Sequence, residues 1–246
     1  MKYGEIISLG RHRLMCGDAT RSEDVYALVE GRKVDLVLTD PPYGMKCQSK
    51  SGAIGGDKPF MQLACITSKK KVIPAKKYSQ LIGDNSQNTA RKHYLIARAI
   101  TNKLIIWGGQ YFADFLPING GWLFWDKETG ESNFSDGELA WCSYGKRMRK
   151  YCHKWNGLIM KGSRTLNPIP RIHPTQKPVE LHMKILEDFS QPGDIILDCF
   201  GGSGTTLIAC ELTGRTCLMM EISPDYCDII KKRYETLTEG AIPFAE

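Results

Sequence analysis

Apolar runs and helix-like patterns alternate along most of the 246-residue chain. Short runs rich in branched and aromatic side chains predict seven strands, near residues 12–16, 34–39, 103–107, 121–125, 138–143, 194–199 and 216–221. Apolar positions three and four residues apart predict six helices, near residues 22–30, 87–100, 110–116, 178–189, 203–213 and 224–237. Because strands and helices alternate, we expect a mostly parallel sheet with helices on both faces. The length and the 42% of hydrophobic residues suit a single α/β domain over residues 1–246.

The turn Asp40-Pro41-Pro42-Tyr43 closes the apolar strand that contains Val34 to Leu38. Open α/β sheets bind ligands at the carboxyl ends of their strands. Since prolines have no N–H group, the carbonyls of Asp40 and Pro41 stay free to accept hydrogen bonds from a ligand. An exocyclic amino group fits this arrangement, with Asp40 and the Pro41 carbonyl each accepting one N–H and Tyr43 stacking on the ring. Taken alone, the motif is equally typical of a proline-rich turn after a strand.

A glycine-rich loop, residues 198–206, follows the apolar run 195–197 and opens a helical pattern. Strand, glycine loop and helix together bring a nucleotide against backbone N–H groups. Leu207 stands where the dinucleotide fingerprint needs its third glycine, so the loop favours a smaller adenosine ligand over a pyrophosphate. Glu221 ends the next strand, 17 residues after Gly204, about where an acidic residue meets ribose hydroxyls. The alternative is a glycine turn and a surface glutamate that share no ligand.

Together these motifs make the chain resemble the β group of DNA amino-methyltransferases, in which D-P-P-Y precedes the cofactor motif F-x-G-x-G, here Phe200 to Gly204. The resemblance extends over nearly the whole chain. It includes Gly17-Asp18, the block His173-Pro174-Thr175-Gln176-Lys177-Pro178, and the blocks 122–127 and 135–141. The last two blocks contain Asp126, Lys127, Asp136 and Glu138, to which spacing assigns no role and which could be ordinary surface ion pairs. Cys199 departs from the proline that the family often has, and we interpret it as a packing residue.

The resemblance implies an S-adenosylmethionine-dependent methyltransferase fold that is Rossmann-like and circularly permuted, with a seven-stranded mostly parallel sheet and one antiparallel hairpin strand. It implies that Asp40, Pro41, Pro42 and Tyr43 are catalytic. It places the cofactor on Asp18, Asp40, Lys177, Asp198, Phe200, Gly202, Gly204, Thr205 and Glu221. Within this set, Glu221 contacts the ribose, Asp18 the adenine amino group and Lys177 the methionine end. Asp18 could instead cap the helix that starts near Ser22, and His173 could be an ordinary loop histidine.

The activity that the resemblance implies is site-specific transfer of a methyl group to the exocyclic N6 amine of adenine in a nucleotide flipped out of double-stranded DNA. Aspartate rather than serine before the prolines favours adenine over cytosine. The alternatives are an N4-cytosine DNA methyltransferase, an RNA-modifying enzyme, and a catalytically silent relative that binds nucleic acid. A homodimer and a companion restriction endonuclease are further partners that the resemblance allows.

The net charge of +6 is distributed unevenly. Residues 45–86 carry a local charge of +6 and residues 144–173 a local charge of +8, so the rest of the chain is acidic. Basic segments on an acidic body favour a polyanionic partner. We interpret residues 45–86 as a basic insertion and residues 144–173 as a basic, aromatic target-recognition segment. The candidate DNA-binding residues are Lys69, Lys70, Lys71, Lys76, Lys77, Arg147, Arg149, Tyr151, Trp155 and Arg164. For residues 45–86 a solvated loop is an equally good interpretation.

Several classes of protein are disfavoured. No run of eighteen apolar residues and no basic-then-apolar leader after Met1 is present, so we expect a cytoplasmic protein without a membrane span. Nine cysteines without a C-x-x-C pair fit reduced thiols better than disulfides or a zinc site. Cys152-His153 lacks partners at ligand spacing, and we predict no metal centre.

Overall fold

The computed structural model describes residues 1–45, 60–62, 71–73, 82–118, 121–130, 135–145, 147–156, 159–160, 166, 172–173 and 175–239. Most of the insertion 45–86 therefore lies outside the described residues. So do five of the candidate DNA-binding residues, Lys69, Lys70, Lys76, Lys77 and Arg164, and the side chain of Lys71.

The strands in these ranges are β1 Ile6–Leu9, β2 His12–Cys16, β3 Leu36–Thr39, β4 Phe60–Gln62, β5 Lys71–Ile73, β6 Leu104–Trp107, β7 Gly121–Asp126, β8 Gly137–Cys142, β9 Met148–Cys152, β10 Trp155–Asn156, β11 Ile159–Met160, β12 Ile195–Asp198 and β13 Thr216–Glu221. The α-helices are α1 Ser22–Val29, α2 Asn88–Ile100, α3 Val179–Phe189, α4 Thr205–Leu212 and α5 Pro224–Thr238.

The main sheet has nine strands in the order β1-β2-β13-β12-β3-β6-β8-β7-β9. Strands β2, β13, β12, β3 and β6 are parallel to one another, and β9 is parallel to β7. Strand β8 runs antiparallel to both β6 and β7, and β1 runs antiparallel to β2. All seven predicted strands belong to this sheet, but the expected strand number was wrong. The additional strands are β1 and β9. Strand β9, Met-Arg-Lys-Tyr-Cys, lacks an apolar run because it lies at the edge of the sheet, where side chains are exposed, and β1, Ile-Ile-Ser-Leu, is only four residues long and lies at the other edge.

The predicted helix at 110–116 was also wrong. The chain forms only a short 3₁₀ turn there, Gly109–Phe112, that buries Phe112 against the sheet. Pro117 disfavours the helical conformation for the residue before it, so the turn cannot extend into a longer helix. The other five helices lie within two residues of their predicted bounds.

Two apolar layers cover the sheet. Helices α3, α4 and α5 pack on one face through residues such as Leu181, Ile208 and Ile230, and α1 and α2 pack on the other through Leu28 and Ala97. This arrangement leaves the carboxyl edge of the parallel strands uncovered, where Gly17 follows β2 and Asp40 follows β3. Among the described helices, none has the length and apolar content to cross a membrane.

Candidate active site

A cavity of about 260 Å³ opens at the carboxyl ends of β2, β3, β12 and β13. Every predicted catalytic residue and every predicted cofactor residue except Gly204 lines it. The turn Asp40 to Tyr43, here called the Asp40 turn, and the glycine loop are about 160 residues apart in sequence, yet they share this cavity because β3 and β12 are neighbours in the sheet.

Tyr43 bonds to Asp40 within the turn, and its ring packs against Gly108, which follows the neighbouring strand β6. The Tyr43 hydroxyl donates to Oδ1 of Asp40 at 2.7 Å. One side of the Tyr43 ring lies across Gly108, where an added Cβ would come within 2.2 Å of the ring. The ring also stacks on Tyr111, with 5.0 Å between centroids. A base that stacks on Tyr43 must therefore use the part of the ring that these neighbours leave free, or displace Tyr111.

The glycine loop is fastened to Glu221. Gly202 has φ +52°, a conformation that other residues rarely adopt, and its N–H donates to Oε2 of Glu221 at 2.7 Å. The N–H of Ser223 donates to the other oxygen at 2.9 Å. Burial raises the pKa of Glu221, while these backbone donors work against the rise. Each oxygen still has a lone pair for a further donor, such as a ribose hydroxyl.

Asp198 lies beneath the loop and joins it to the Asp40 strand. Its carboxylate accepts hydrogen bonds from Thr39 at 2.8 Å, Thr206 at 2.6 Å and the N–H of Phe200 at 3.1 Å. Burial raises the pKa of Asp198 to about 7, although all three donors favour the ionised form. Thr39 directly precedes Asp40, so this carboxylate fixes the spacing between the two halves of the cavity.

Lys177 has a different contact from the one that the resemblance implies. Its ammonium group donates to Oδ2 of Asp40 and lies 3.3 Å from Oε2 of Glu138. It also sits over the ring of Trp107, 5.0 Å from the centroid. Oε1 of Glu138 in turn lies 2.6 Å from the ammonium of Lys127. The sequence showed Glu138 and Lys127 only as members of family-like blocks, and no spacing signal tied them to Asp40.

The pKa shifts of this cluster follow from burial and from neighbouring charges. Burial raises the pKa of Asp40, and Lys177 only partly offsets the rise. Burial acts to raise the pKa of Glu138 as well, but Lys177 and Lys127 outweigh it and hold the pKa at about 2. Burial lowers the pKa of Lys177, yet Asp40 and Glu138 together raise it above its ordinary value. Lys177 therefore stays charged between the two carboxyl groups.

The two positions with open alternatives have distinct local roles. Oδ1 of Asp18 accepts from both the N–H and the hydroxyl of Thr20 at 2.8 Å, which closes a turn and does not cap α1. His173 accepts from the N–H of Thr175 at 3.3 Å and packs edge to face on Tyr226. Burial, with a smaller effect of Lys177, lowers the pKa of His173 to about 3, so the ring is neutral at physiological pH.

The described residues of the segment 144–156 do not line the cavity. Tyr151 and Trp155 are buried in the core, so neither ring is available to stack on a base. The Arg149 guanidinium lies 3.3 Å from Asp188. Asp188 is nine residues into α3, about 14 Å along the helix from the end next to the cavity. Arg147 is exposed and precedes β9, at the same far edge of the sheet. The predicted stacking of Tyr151 and Trp155 on bases is therefore wrong, whereas base recognition by the exposed Arg147 and Arg149 stays a prediction.

Residues 34–232 match the model of the N6_N4_Mtase family, described as DNA methylase. The match covers most of the chain, and the chain belongs to this family.

Relatives and solved structures agree with this assignment. The Type II methyltransferase M2.MboI of Moraxella bovis is 32% identical over 135 residues, which cover 47% of this chain and 50% of M2.MboI. The chain thus spans half the length of that relative. A crystal structure of the M1.HpyAVI–SAM complex has a TM-score of 0.52 and 24% identity, and the match covers 89% of this chain and 98% of that one. The PvuII DNA methyltransferase (cytosine-N4-specific) has a TM-score of 0.51 and 15% identity, with 92% of each chain covered. At these identities the two structures show the shared fold.

Proposed function

We propose that the chain is an S-adenosylmethionine-dependent DNA methyltransferase that methylates the N6 amine of adenine in a flipped-out nucleotide. One observation carries the proposal: the Asp40 turn and the Gly202–Glu221 loop line the same cavity. The first suits an exocyclic amine and the second an adenosine. The choice of adenine rests on the aspartate of the D-P-P-Y motif.

The residues of the cavity fit the cofactor. Gly202 presents backbone without a side chain, and the Glu221 carboxylate has lone pairs left for ribose hydroxyls. Gln176 lines the cavity, and its buried side-chain nitrogen has no hydrogen-bond partner in the described part of the chain, which makes it a candidate donor to a bound ligand. The M1.HpyAVI complex shows that a protein of this fold binds SAM. When bound, S-adenosylmethionine supplies a methyl group on a positively charged sulfur.

The chain's own residues orient the amine and accept its proton. Asp40 has acceptor lone pairs beyond those that Tyr43 and Lys177 occupy, and the Pro41 carbonyl accepts the second N–H. Both bonds turn the nitrogen lone pair towards the methyl carbon, which supplies orientation and electrostatic stabilisation. As the N–C bond forms, the S–C bond breaks and its electron pair stays on sulfur. The amine proton then passes to Asp40 or to water.

Double-stranded DNA is the partner that the family assignment supports. Part of the basic segments lies outside the described residues, so the lysines at 69–71, 76 and 77 and Arg164 stay predicted DNA contacts. M2.MboI and related Type II enzymes belong by name to restriction-modification systems, which favours a companion endonuclease for this chain. A homodimer stays a prediction.

An N4-cytosine specificity is the second candidate. The PvuII enzyme, named as cytosine-N4-specific, has the same fold. The amine of cytosine carries the same two N–H groups, so the Asp40 turn would accept the same two hydrogen bonds from it.

The experiment combines methyl transfer with sequencing. Purified protein is incubated with S-adenosylmethionine and mixed-sequence duplex DNA, and the product is sequenced by a single-molecule method that detects modified bases. We expect N6-methyladenine within one short recognition sequence. Asp40→Ala should lose at least about 10³-fold in transfer, because the amine-orienting step needs that carboxylate, and should retain cofactor affinity in calorimetry through the other predicted cofactor residues.

The outcomes separate the alternatives. Methylation of cytosine alone would correct the base and keep the mechanism. Transfer to RNA but not DNA would correct the substrate. Cofactor binding without transfer to either polymer would identify a silent relative, and near wild-type transfer by Asp40→Ala would overturn the mechanism.

A further inference from the structure

Four charged side chains of alternating sign cross the carboxyl edge of the sheet. Asp40 follows β3, Lys177 precedes α3, Glu138 lies near the start of β8, and Lys127 follows β7. Lys177 binds Asp40 and lies 3.3 Å from Glu138, and Lys127 lies 2.6 Å from the other oxygen of Glu138. We call these four residues the charge ladder. Its charges sum to zero, and two of its three contacts, those of Lys177 with Asp40 and Glu138, link elements that are distant in sequence.

Two buried tryptophan rings support the ladder from below. Lys177 lies 5.0 Å from the ring centroid of Trp107, and Lys127 lies 4.9 Å from that of Trp125. The two rings meet edge to face at 6.3 Å. A cation over a desolvated indole ring is stabilised by the ring's electron-rich face. Each lysine is therefore fixed by a ring as well as by a carboxylate, so the spacing of the ladder is set by the core.

We propose that Glu138 and Lys127 are positioning residues for methyl transfer, a role that rests on the proposed function. Glu138 shares Lys177 with Asp40 and so keeps the ammonium from occupying both oxygens of Asp40. That leaves acceptor lone pairs on Asp40 for the target amine. Lys127 neutralises Glu138 and limits how far Glu138 draws Lys177 away.

Each charged neighbour of Asp40 has its own effect on the pKa of that carboxyl group. Burial raises the pKa of Asp40, Lys177 lowers it and Glu138 raises it further. The titratable groups that face Asp40 from the neighbouring elements are Lys177, Tyr43, Glu138 and Asp198. Burial first, and Lys177 second, lower the pKa of the two histidines near Lys177 to about 3, so both are neutral: His173 and His182.

Substitutions at the two ends of the ladder should act in opposite directions. Glu138→Gln removes a negative charge, so the pKa of Asp40 falls, Lys177 closes on Asp40, and the acidic limb of the kcat profile moves to lower pH. Lys127→Met leaves Glu138 to draw Lys177 away, so the pKa of Asp40 rises and the acidic limb moves to higher pH. We expect each variant to lose about tenfold in kcat near neutral pH. Lys127→Arg should restore the wild-type profile.

The experiment measures single-turnover methylation of duplex DNA between about pH 5 and 9, together with calorimetric cofactor affinity. The matched control is Glu235→Gln, which makes the same chemical change in an exposed ion pair of α5, 3.9 Å from Lys231. In parallel, ¹³C NMR of the carboxyl carbons, with Asp40→Asn for assignment, follows the ionisation of Asp40 without any need for activity.

Opposite shifts in the two variants, with unchanged cofactor affinity and rescue by Lys127→Arg, support the proposal. Shifts in the same direction, or a loss of folding or cofactor affinity that accounts for the lost activity, overturn it. If the wild-type protein transfers no methyl group, the proposed function fails. The NMR shifts of Asp40 then still decide whether the ladder controls that carboxylate.

Discussion

Gly108→Ala tests whether the position of Tyr43 matters for catalysis. Gly108 follows β6 with φ +71°, and the Tyr43 ring lies against it. A Cβ at this position would lie 2.2 Å from Cε1 of Tyr43 and 2.6 Å from Cδ1 and Cζ. Carbon atoms in contact prefer separations of about 3.5–4.0 Å, so the ring must move by at least about 1.3 Å.

Movement of the ring should disturb the Asp40 turn. The Tyr43 hydroxyl donates to Asp40 at 2.7 Å, so a displaced ring pulls on the carboxylate as well as on the stacking face. A misplacement of about 1 Å at a reacting centre can cost roughly 10²-fold in rate. We therefore expect kcat/KM for DNA methylation to fall about 100-fold. Cofactor affinity should not change, because the Gly202–Glu221 contact is untouched.

Gly31→Ala is a matched control. Gly31 also has φ +71°, but an added Cβ there meets nothing within 4 Å. Both variants carry the same backbone strain, about 1–2 kcal/mol, and only Gly108→Ala adds the clash with Tyr43. Single-turnover methylation and urea unfolding of both variants separate the two effects. If Gly108→Ala methylates DNA within about threefold of Gly31→Ala, the placement of Tyr43 is not needed and the reasoning is refuted.

Three further substitutions concern residues on the cofactor side of the cavity, two testing cofactor affinity and one testing the stability of the fold. Glu221→Gln should lower the affinity for S-adenosylmethionine at least about tenfold. In calorimetry the affinity of the wild type should fall as the pH drops through the raised pKa of Glu221, and the affinity of the variant should not show this pH dependence. Gly202→Asp should weaken the cofactor more severely still, because a carboxylate enters the cavity at a backbone φ of +52°; unchanged affinity would place the cofactor elsewhere. Asp198→Asn tests stability: burial raises the pKa of Asp198 from 3.8 to about 7, so the folded chain binds this proton more tightly than the unfolded chain. The contribution of Asp198 to the unfolding free energy should therefore decline as pH rises across that interval. Urea unfolding near pH 5 and pH 8 should show that decline in the wild type and not in the variant.

The two loops of the cavity were predictable because their signals are local. A carboxylate and two prolines after an apolar strand specify a turn with free carbonyls, whatever the rest of the fold does. Gly202 and Gly204 likewise occupy positive φ in the structure, which is a property of the loop itself. The parallel order of β3 and β12 then brought the loops together, as the alternation of strands and helices implied.

The DNA-facing residues were harder to predict because charge and aromatic content do not report which way a side chain faces. Tyr151 lies in a segment rich in basic residues, yet its ring is buried and its hydroxyl donates to Asp188 at 2.6 Å. Arg149 is drawn to the same carboxylate and lies against Phe189. Both contacts join β9 to the end of α3, and no local pattern in residues 144–173 encodes a helix that begins at Val179.

The sequence pattern did not indicate that Glu138 belongs to the site, because its strand runs in the opposite direction to the parallel strands. Ligand-binding residues are expected directly after apolar runs, since the carboxyl ends of parallel strands lie at one edge of the sheet. Strand β8 runs antiparallel to β6, so its beginning, and not its end, lies at the edge where Asp40 sits. Glu138 is the second residue of β8 and pairs with Trp125, two residues before Lys127. When an antiparallel strand lies within a parallel sheet, its first residues lie at the edge where the parallel strands end. Glu138 is therefore within reach of Lys177, although it precedes the apolar part of its strand and does not follow it.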